Sequence, residues 1–258
     1  MKRHFFILNL LIILIFLCGC NQSSFVSQGT GYDNSKIGWG FRKIQGAQPE
    51  IPASWAEMLK KYDGYYIGNT QKKVMFLTFD EGYENGYTSQ ILDVLKKTNT
   101  KAAFFVTGPY IDKEQELIKR MVSEGHIVGN HTVNHPSMPD KSNEILISEL
   151  NELDEKFNRL TGQHMHFMRP PKGEFSERTL ALTQKEGYKS IFWSIAYADW
   201  DVNNQKGVDY AVSSVTNQFH NGAIILLHAV SPDNASGLEK IINTAKEQGY
   251  TFESLEDL

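Results

Sequence analysis

Val74-Met75-Phe76-Leu77-Thr78-Phe79-Asp80-Glu81-Gly82-Tyr83-Glu84 is the stretch on which the reading of the fold turns. A run of apolar and β-branched residues delivers two adjacent carboxylates into a turn that contains glycine. In a parallel sheet wrapped by helices, the loops at the carboxyl ends of the strands are where chemistry collects, so an acidic pair placed there is a candidate site. Taken alone, the segment reads equally well as a solvated turn that happens to carry two acids. The decision rests on whether the rest of the chain supplies histidines, an arginine and further acids at equivalent places.

Downstream the pattern alternates. Strand Val74 to Phe79 is followed by a helix around Tyr87 to Lys97, and Ala102 to Val106 is a second strand. Asp112 with Gln115 predicts a capping box opening a helix to about Ser123, closed by Gly125, after which His126 to Gly129 is a brief strand. Ser142 opens the longest helix, with Leu146, Leu150, Leu153, Phe157 and Leu160 on one face; two heptads fit packing on a sheet better than a coiled coil. Strand Met165 to Met168, helix Ser176 to Glu186, strand Ser190 to Trp193, helix Val208 to Phe219, strand Ala223 to Leu227 and helix Leu238 to Glu247 follow, with Gly249 and a short strand at Tyr250 to Phe252 at the end. About seven strands alternating with helices imply parallel strands joined by right-handed crossovers, most economically closed as a distorted (β/α)7-8 barrel. An open doubly wound sheet is the alternative, but no Gly-rich phosphate turn follows any strand.

Working upstream, residues 38–72 read as an irregular N-terminal arm, Gly38-Trp39-Gly40-Phe41 onward, with Ser54 capping a short helix through Trp55, Met58 and Leu59. Residues 20–37, rich in Ser, Gln, Gly and Asn, read as a flexible tether. Lys2, Arg3 and His4 precede an apolar run from Phe5 to Leu17 that is too short for a comfortable membrane span, the layout of an export signal over residues 1–19. Leu17-Cys18-Gly19-Cys20 resembles a bacterial lipobox, which implies cleavage after Gly19 and a lipid anchor on Cys20 at the outer face of the cytoplasmic membrane. The alternatives are secretion after ordinary cleavage and an uncleaved anchor.

Both cysteines of the 258-residue chain lie in this leader, so disulfides and thiol nucleophiles are excluded from the mature protein. Loss of Lys2 and Arg3 takes the formal charge from −4 to −6. An acidic exported chain with no basic tract gives no support to nucleic-acid binding.

Chemistry-bearing residues follow strand after strand. His131-Thr132-Val133-Asn134-His135 places two histidines four apart, a spacing that on a helical turn aims both imidazoles at one divalent cation such as zinc, or else leaves two ordinary surface histidines. Arg169-Pro170-Pro171-Lys172-Gly173 holds a guanidinium on a stiff loop, where it can orient a carboxylate. Asp199-Trp200 and then His228, at the end of Ile224-Ile225-Leu226-Leu227, add an acid, an aromatic and a histidine.

Jointly these motifs resemble the polysaccharide deacetylases of NodB homology, carbohydrate esterase family 4, over about Lys73 to Leu258. Gly38-Trp39-Gly40-Phe41, Phe79 to Tyr87, Ala196 to Trp200 and His228 to Ala235 are most similar to the subgroup that deacetylates N-acetylmuramic acid in peptidoglycan, the first step towards the muramic δ-lactam of spore cortex. The resemblance implies that residues 73–258 form a catalytic domain acting on peptidoglycan strands as a monomer. It implies Asp80 as general base, His228 as general acid, Arg169 orienting Asp80, and Asp199 pairing with Arg169 or His228. A divalent metal, zinc by analogy, would be held by His131, His135 and Glu81. Tyr83, Pro171, Lys172, Trp200 and Leu226 would line the substrate pocket, with a backbone N–H near Lys172 facing the oxyanion. The chain departs from the wider family at Glu81, where a second aspartate is usual, at Ala196, where an aspartate is common, and at Lys172, where an aromatic is common. These departures leave two further expectations open: an N-acetylglucosamine deacetylase, or a catalytically impaired glycan-binding surface lipoprotein.

Overall fold

The computed structural model describes residues 31–258; the export signal and Cys20 lie outside the described residues. Two short strands, β1 (Ile37–Gly38) and β2 (Gly64–Tyr65), flank helix α1 (Ala53–Lys61). The regular alternation then runs β3 (Val74–Glu81), α2 (Thr88–Lys97), β4 (Ala103–Val106), α3 (Gly108–Lys113), α4 (Gln115–Ser123), β5 (Ile127–Asn130) and α5 (Asn143–Thr161). It continues with β6 (Phe167–Met168), β7 (Glu174–Phe175), α6 (Glu177–Lys185), β8 (Lys189–Ile191), α7 (Val208–Thr216), β9 (Ala223–His228), α8 (Pro232–Glu247) and β10 (Thr251–Phe252).

Eight of these strands form one parallel sheet, with β9, β4 and β10 all paired to the long strand β3 and the order running on through β5, β6, β8 and β2. Its two ends meet through bridges Ile67–Ala223 and Ile195–Ile225, so the sheet closes as a distorted barrel. The expected fold class is therefore borne out. β1 and β7 make a separate antiparallel ribbon.

Period-2 alternation on β3 and β9 sorts the core into two layers. Met75, Leu77 and Phe79 pack outward with Ile225, Leu227 and the helices, while Val74, Phe76 and Ile224 face inward with Phe105, Phe167 and Ile191. That parity sets the chemistry, because Thr78 and Asp80 share the inward face and Glu81 falls on the outward one.

Several elements differ from the sequence expectations. Asp112 lies inside α3, which begins at Gly108 behind Pro109, so α3 and α4 replace a single capped helix. Ser142 and Ser176 do cap α5 and α6, but α8 starts at Pro232 under a Ser231 cap, six residues before Leu238. Helix α1 starts at Ala53 after Pro52 rather than under a Ser54 cap. The polar segment read as tether is packed from Asp33 onward. Asn34 Oδ1 accepts hydrogen bonds from Ser176 Oγ and Arg178 Nε, and the Asp33 carbonyl accepts from Arg178 N. The arm then seats Trp39 among Phe175, Phe192 and Trp55.

Candidate active site

The carboxyl ends of β3 and β9 lie side by side, with Asp80 and His228 as direct register partners. Arg169, fully buried after β6, reaches across the barrel interior to Asp80. Its Nη1 donates to Asp80 Oδ1 at 2.7 Å, Nη2 to Thr78 Oγ1 at 2.8 Å and Nε to the Ile191 carbonyl at 3.0 Å, while the guanidinium rests 4.2 Å over the Phe105 ring. A charge so placed is tolerable because each guanidinium nitrogen is hydrogen-bonded and one face is stacked. Burial alone would raise the Asp80 carboxyl, but Arg169, His131 and His228 outweigh it and hold it below its ordinary value.

His228 is oriented from behind. Its Nδ1 donates to Asp199 Oδ1 at 2.7 Å and its backbone N to Oδ2 at 2.8 Å, with Asn234 Nδ2 donating to the same Oδ2 at 2.6 Å. Burial pulls the imidazole down, yet the Asp199 carboxylate, by charge and hydrogen bond, lifts it above its usual value. Of the two partners expected for Asp199, the structure gives His228. Thr78 and Asn234, which hold Arg169 and Asp199 in place, carried no role in the sequence reading; their only signal was proximity to Asp80 and His228.

His131 and His135 do converge, with ring centroids 4.7 Å apart, but not on a helical turn. The loop after β5 is irregular, and Thr132 and His135 both have left-handed backbones, φ 62° and 53°. Asn130 Oδ1, which accepts from Thr132 N, and Glu149, which accepts from Asn134, hold that strained loop. Nδ1 of His131 donates to the Arg169 carbonyl at 2.8 Å, which leaves its Nε2 lone pair 3.5 Å from Asp80 Oδ2. Burial keeps both imidazoles neutral, His135 down to about 4.

Glu81 does not join them. Both its carboxyl oxygens are buried without a hydrogen-bond partner, and burial, then Glu84 and Asp80, push its carboxyl well above the ordinary range. The expected three-ligand set is thus corrected. Strand β3 runs two residues past Phe79, so the pleat turns Glu81 towards the helices; among the described residues no group of three or more His, Cys, Asp or Glu is arranged to hold a metal. Two neighbouring imidazoles, His131 with its Nδ1 proton committed and its Nε2 lone pair towards Asp80, still fit one divalent cation as a two-histidine hold.

These groups open into a cavity of about 830 Å³. Tyr83, Lys172, Trp200 and Leu226 line it as expected, together with Trp193, Tyr197 and Ala196. Pro171 does not; it is buried within the arginine loop. Tyr83 and Trp200, 52 % and 61 % exposed, stand at the mouth as faces on which sugar rings can stack.

The family model described as polysaccharide deacetylase matches residues 67–191. A curated relative, the peptidoglycan-N-acetylmuramic acid deacetylase PdaA of Bacillus subtilis, is 45 % identical over 234 residues, 90 % of this chain and 89 % of PdaA. The chain belongs to the polysaccharide deacetylases of carbohydrate esterase family 4. The solved structure of B. subtilis PdaA superposes on this deacetylase-family fold with a TM-score of 0.85 at 46 % identity, covering 88 % of this chain and 97 % of that one. A family 4 carbohydrate esterase from Bacillus anthracis gives 0.75 at 44 % identity, with the same coverage of 88 % and 97 %. Deacetylases of this family are in general metal-dependent.

Proposed function

We propose that this protein removes the N-acetyl group from N-acetylmuramic acid in peptidoglycan, releasing acetate and leaving a free amine on the sugar. The observation that carries the reading is the Asp80–His228 pair, adjacent in register at one cavity and driven to opposite protonation states by Arg169 and Asp199. PdaA's own activity, at 45 % identity over nine-tenths of the chain, supports muramic acid as the sugar.

Water attacks the acetamide carbonyl carbon while Asp80, with Oδ1 tied to Arg169 and Oδ2 facing the cavity, takes its proton. The C–N bond then breaks, and His228, charged and donating through Nδ1 to Asp199, delivers a proton from Nε2 to the departing nitrogen. Two unlike environments for two titrating groups provide the division of labour. His131 and His135 would hold the divalent metal, zinc by their ligand type; when bound it supplies Lewis-acid polarisation of the reacting oxygen. Leu226, Tyr197 and the indoles exclude bulk water from the acetyl group.

Export with a lipid anchor at Cys20 belongs to the same proposal, since its substrate lies outside the membrane; labelling with a fatty-acid probe that is lost in Cys20→Ser tests it. The substrate test is to treat acetylated, peptide-free peptidoglycan strands with the protein, hydrolyse them to monomers and identify which sugar carries the new amine. Free muramic acid amine matched by acetate is expected. Amine on glucosamine alone, or glycan binding without acetate, overturns the reading.

A further inference from the structure

Lys172 is a basic residue in an unusual setting. Its backbone is left-handed, φ 60° and ψ 6°, a conformation that costs a non-glycine residue on the order of 1 kcal/mol and persists only where the surroundings enforce it. The enforcement is visible. Gly173, also left-handed at φ 65°, has no room for a Cβ, because one would meet Trp193 and the Trp39 Cβ at 2.9 Å. The arm fixes the same turn, with Trp39 N donating to the Gly173 carbonyl at 2.8 Å and Trp39 Nε1 to the Trp193 carbonyl at 3.0 Å. A strained turn clamped from two sides sets an exposed lysine on the wall of the cavity.

Lys172 is the sole Lys or Arg among the residues lining that cavity, and it enters none of the ion pairs formed by the described residues. Other cations nearby are engaged: Arg169 is spent on Asp80 and Thr78, Lys43 donates to the Ala196 carbonyl, and Lys206 lies over the Tyr210 ring. The cavity thus offers aromatic walls for a sugar, a base and acid for its acetamide, and one unpaired cation.

Muramic acid differs from glucosamine by a lactyl ether on C3, next to the acetamido carbon C2. With the acetamide at Asp80 and His228, a C3 substituent falls at the adjoining wall. We infer that Lys172 binds the lactyl carboxylate of the muramic acid whose acetyl group is removed, and so selects muramic acid with a free carboxylate over glucosamine. The inference rests on the muramic reading above and names the residue that enforces it. The long stem suits the task, because an ammonium on a flexible chain follows a carboxylate without a fixed bidentate geometry.

Two substrates and three proteins test it: peptide-free strands with free lactyl carboxylates, the same strands with those carboxylates converted to methylamides, and wild type, Lys172→Met and Lys172→Arg. All three side chains are unbranched at Cβ, so the turn is strained alike, and thermal melting checks the fold. Wild type is expected to prefer the free acid in kcat/KM by roughly tenfold to hundredfold, chiefly through KM, the range for a charged hydrogen bond. Lys172→Met should bring that ratio close to one, and Lys172→Arg should restore most of it. A wild-type ratio near one, or a ratio unchanged in Lys172→Met, overturns the role of Lys172 while leaving muramic deacetylation standing. No amine on muramic acid from either substrate with wild type overturns both.

Discussion

Glu81 shows how much one position along a pleat decides. Asp80 and Glu81 are adjacent acids, yet one is an ionised base braced by Arg169 and the other a carboxyl that burial keeps protonated. For a group whose folded value is raised, stability is fully present below the unfolded value and is lost as pH rises through the folded one. Glu81→Gln removes that loss. It is therefore expected to raise the melting temperature more at pH 8 than at pH 5, by on the order of 2–4 °C, and an equal shift at both values would contradict the assignment. Metal retention gives the companion prediction. After dialysis, His131→Ala and His135→Ala should lose bound divalent cation and Glu81→Gln should keep it. On the acid side, His228 is held up by Asp199, so Asp199→Asn is expected to lower its value and move the alkaline limb of kcat/KM against pH downward. His228→Ala should reduce kcat by roughly 10²–10⁴.

At the scale of elements, the N-terminal arm is a structural partner of the arginine loop. Trp39→Ala removes a nearly buried indole, the contacts to Phe175 and Phe192, and the hydrogen bond to Trp193. A loss of about 3–5 kcal/mol in denaturant unfolding is expected, with deacetylation falling further than stability alone requires because Lys172 and Gly173 are released. The end of the segment read as tether, just ahead of this arm, was the least legible part of the described chain. Asn34 and Asp33 work through side-chain and carbonyl contacts to Arg178 and Ser176, and such contacts leave a polar segment looking like any tether. The main strands were legible for the opposite reason: parallel strands buried on both faces must be continuous apolar runs, as β3, β4 and β9 are. Two-residue strands such as β2 carry no such run. The His131–His135 spacing signalled that the two rings come together, but a strained left-handed loop, not a helical turn, achieves it, and neither Thr132 nor His135 advertises a positive φ.

For the whole molecule, the barrel brings together what the chain spreads over some 150 residues. Asp80 and His228 lie at the ends of β3 and β9, while His131, Arg169 and Asp199 come after β5, β6 and β8; closure of the sheet brings Asp80, His131 and His228 to one cavity, with Arg169 and Asp199 bonded behind Asp80 and His228. Their succession after strands was readable because loops at strand ends are where such a fold carries function. Which acid paired with which base was not, since that depends on register and rotamer. Among the described residues no helix is long and apolar enough to cross a membrane. The most direct test of the central claim is acetate release from peptide-free peptidoglycan strands, followed against pH for wild type and Asp80→Asn. Wild type should release acetate in equal measure with muramic acid amine, and Asp80→Asn should lose at least a hundredfold in kcat at every pH. Acetate release that survives Asp80→Asn, or none from wild type with divalent metal supplied, would contradict that claim.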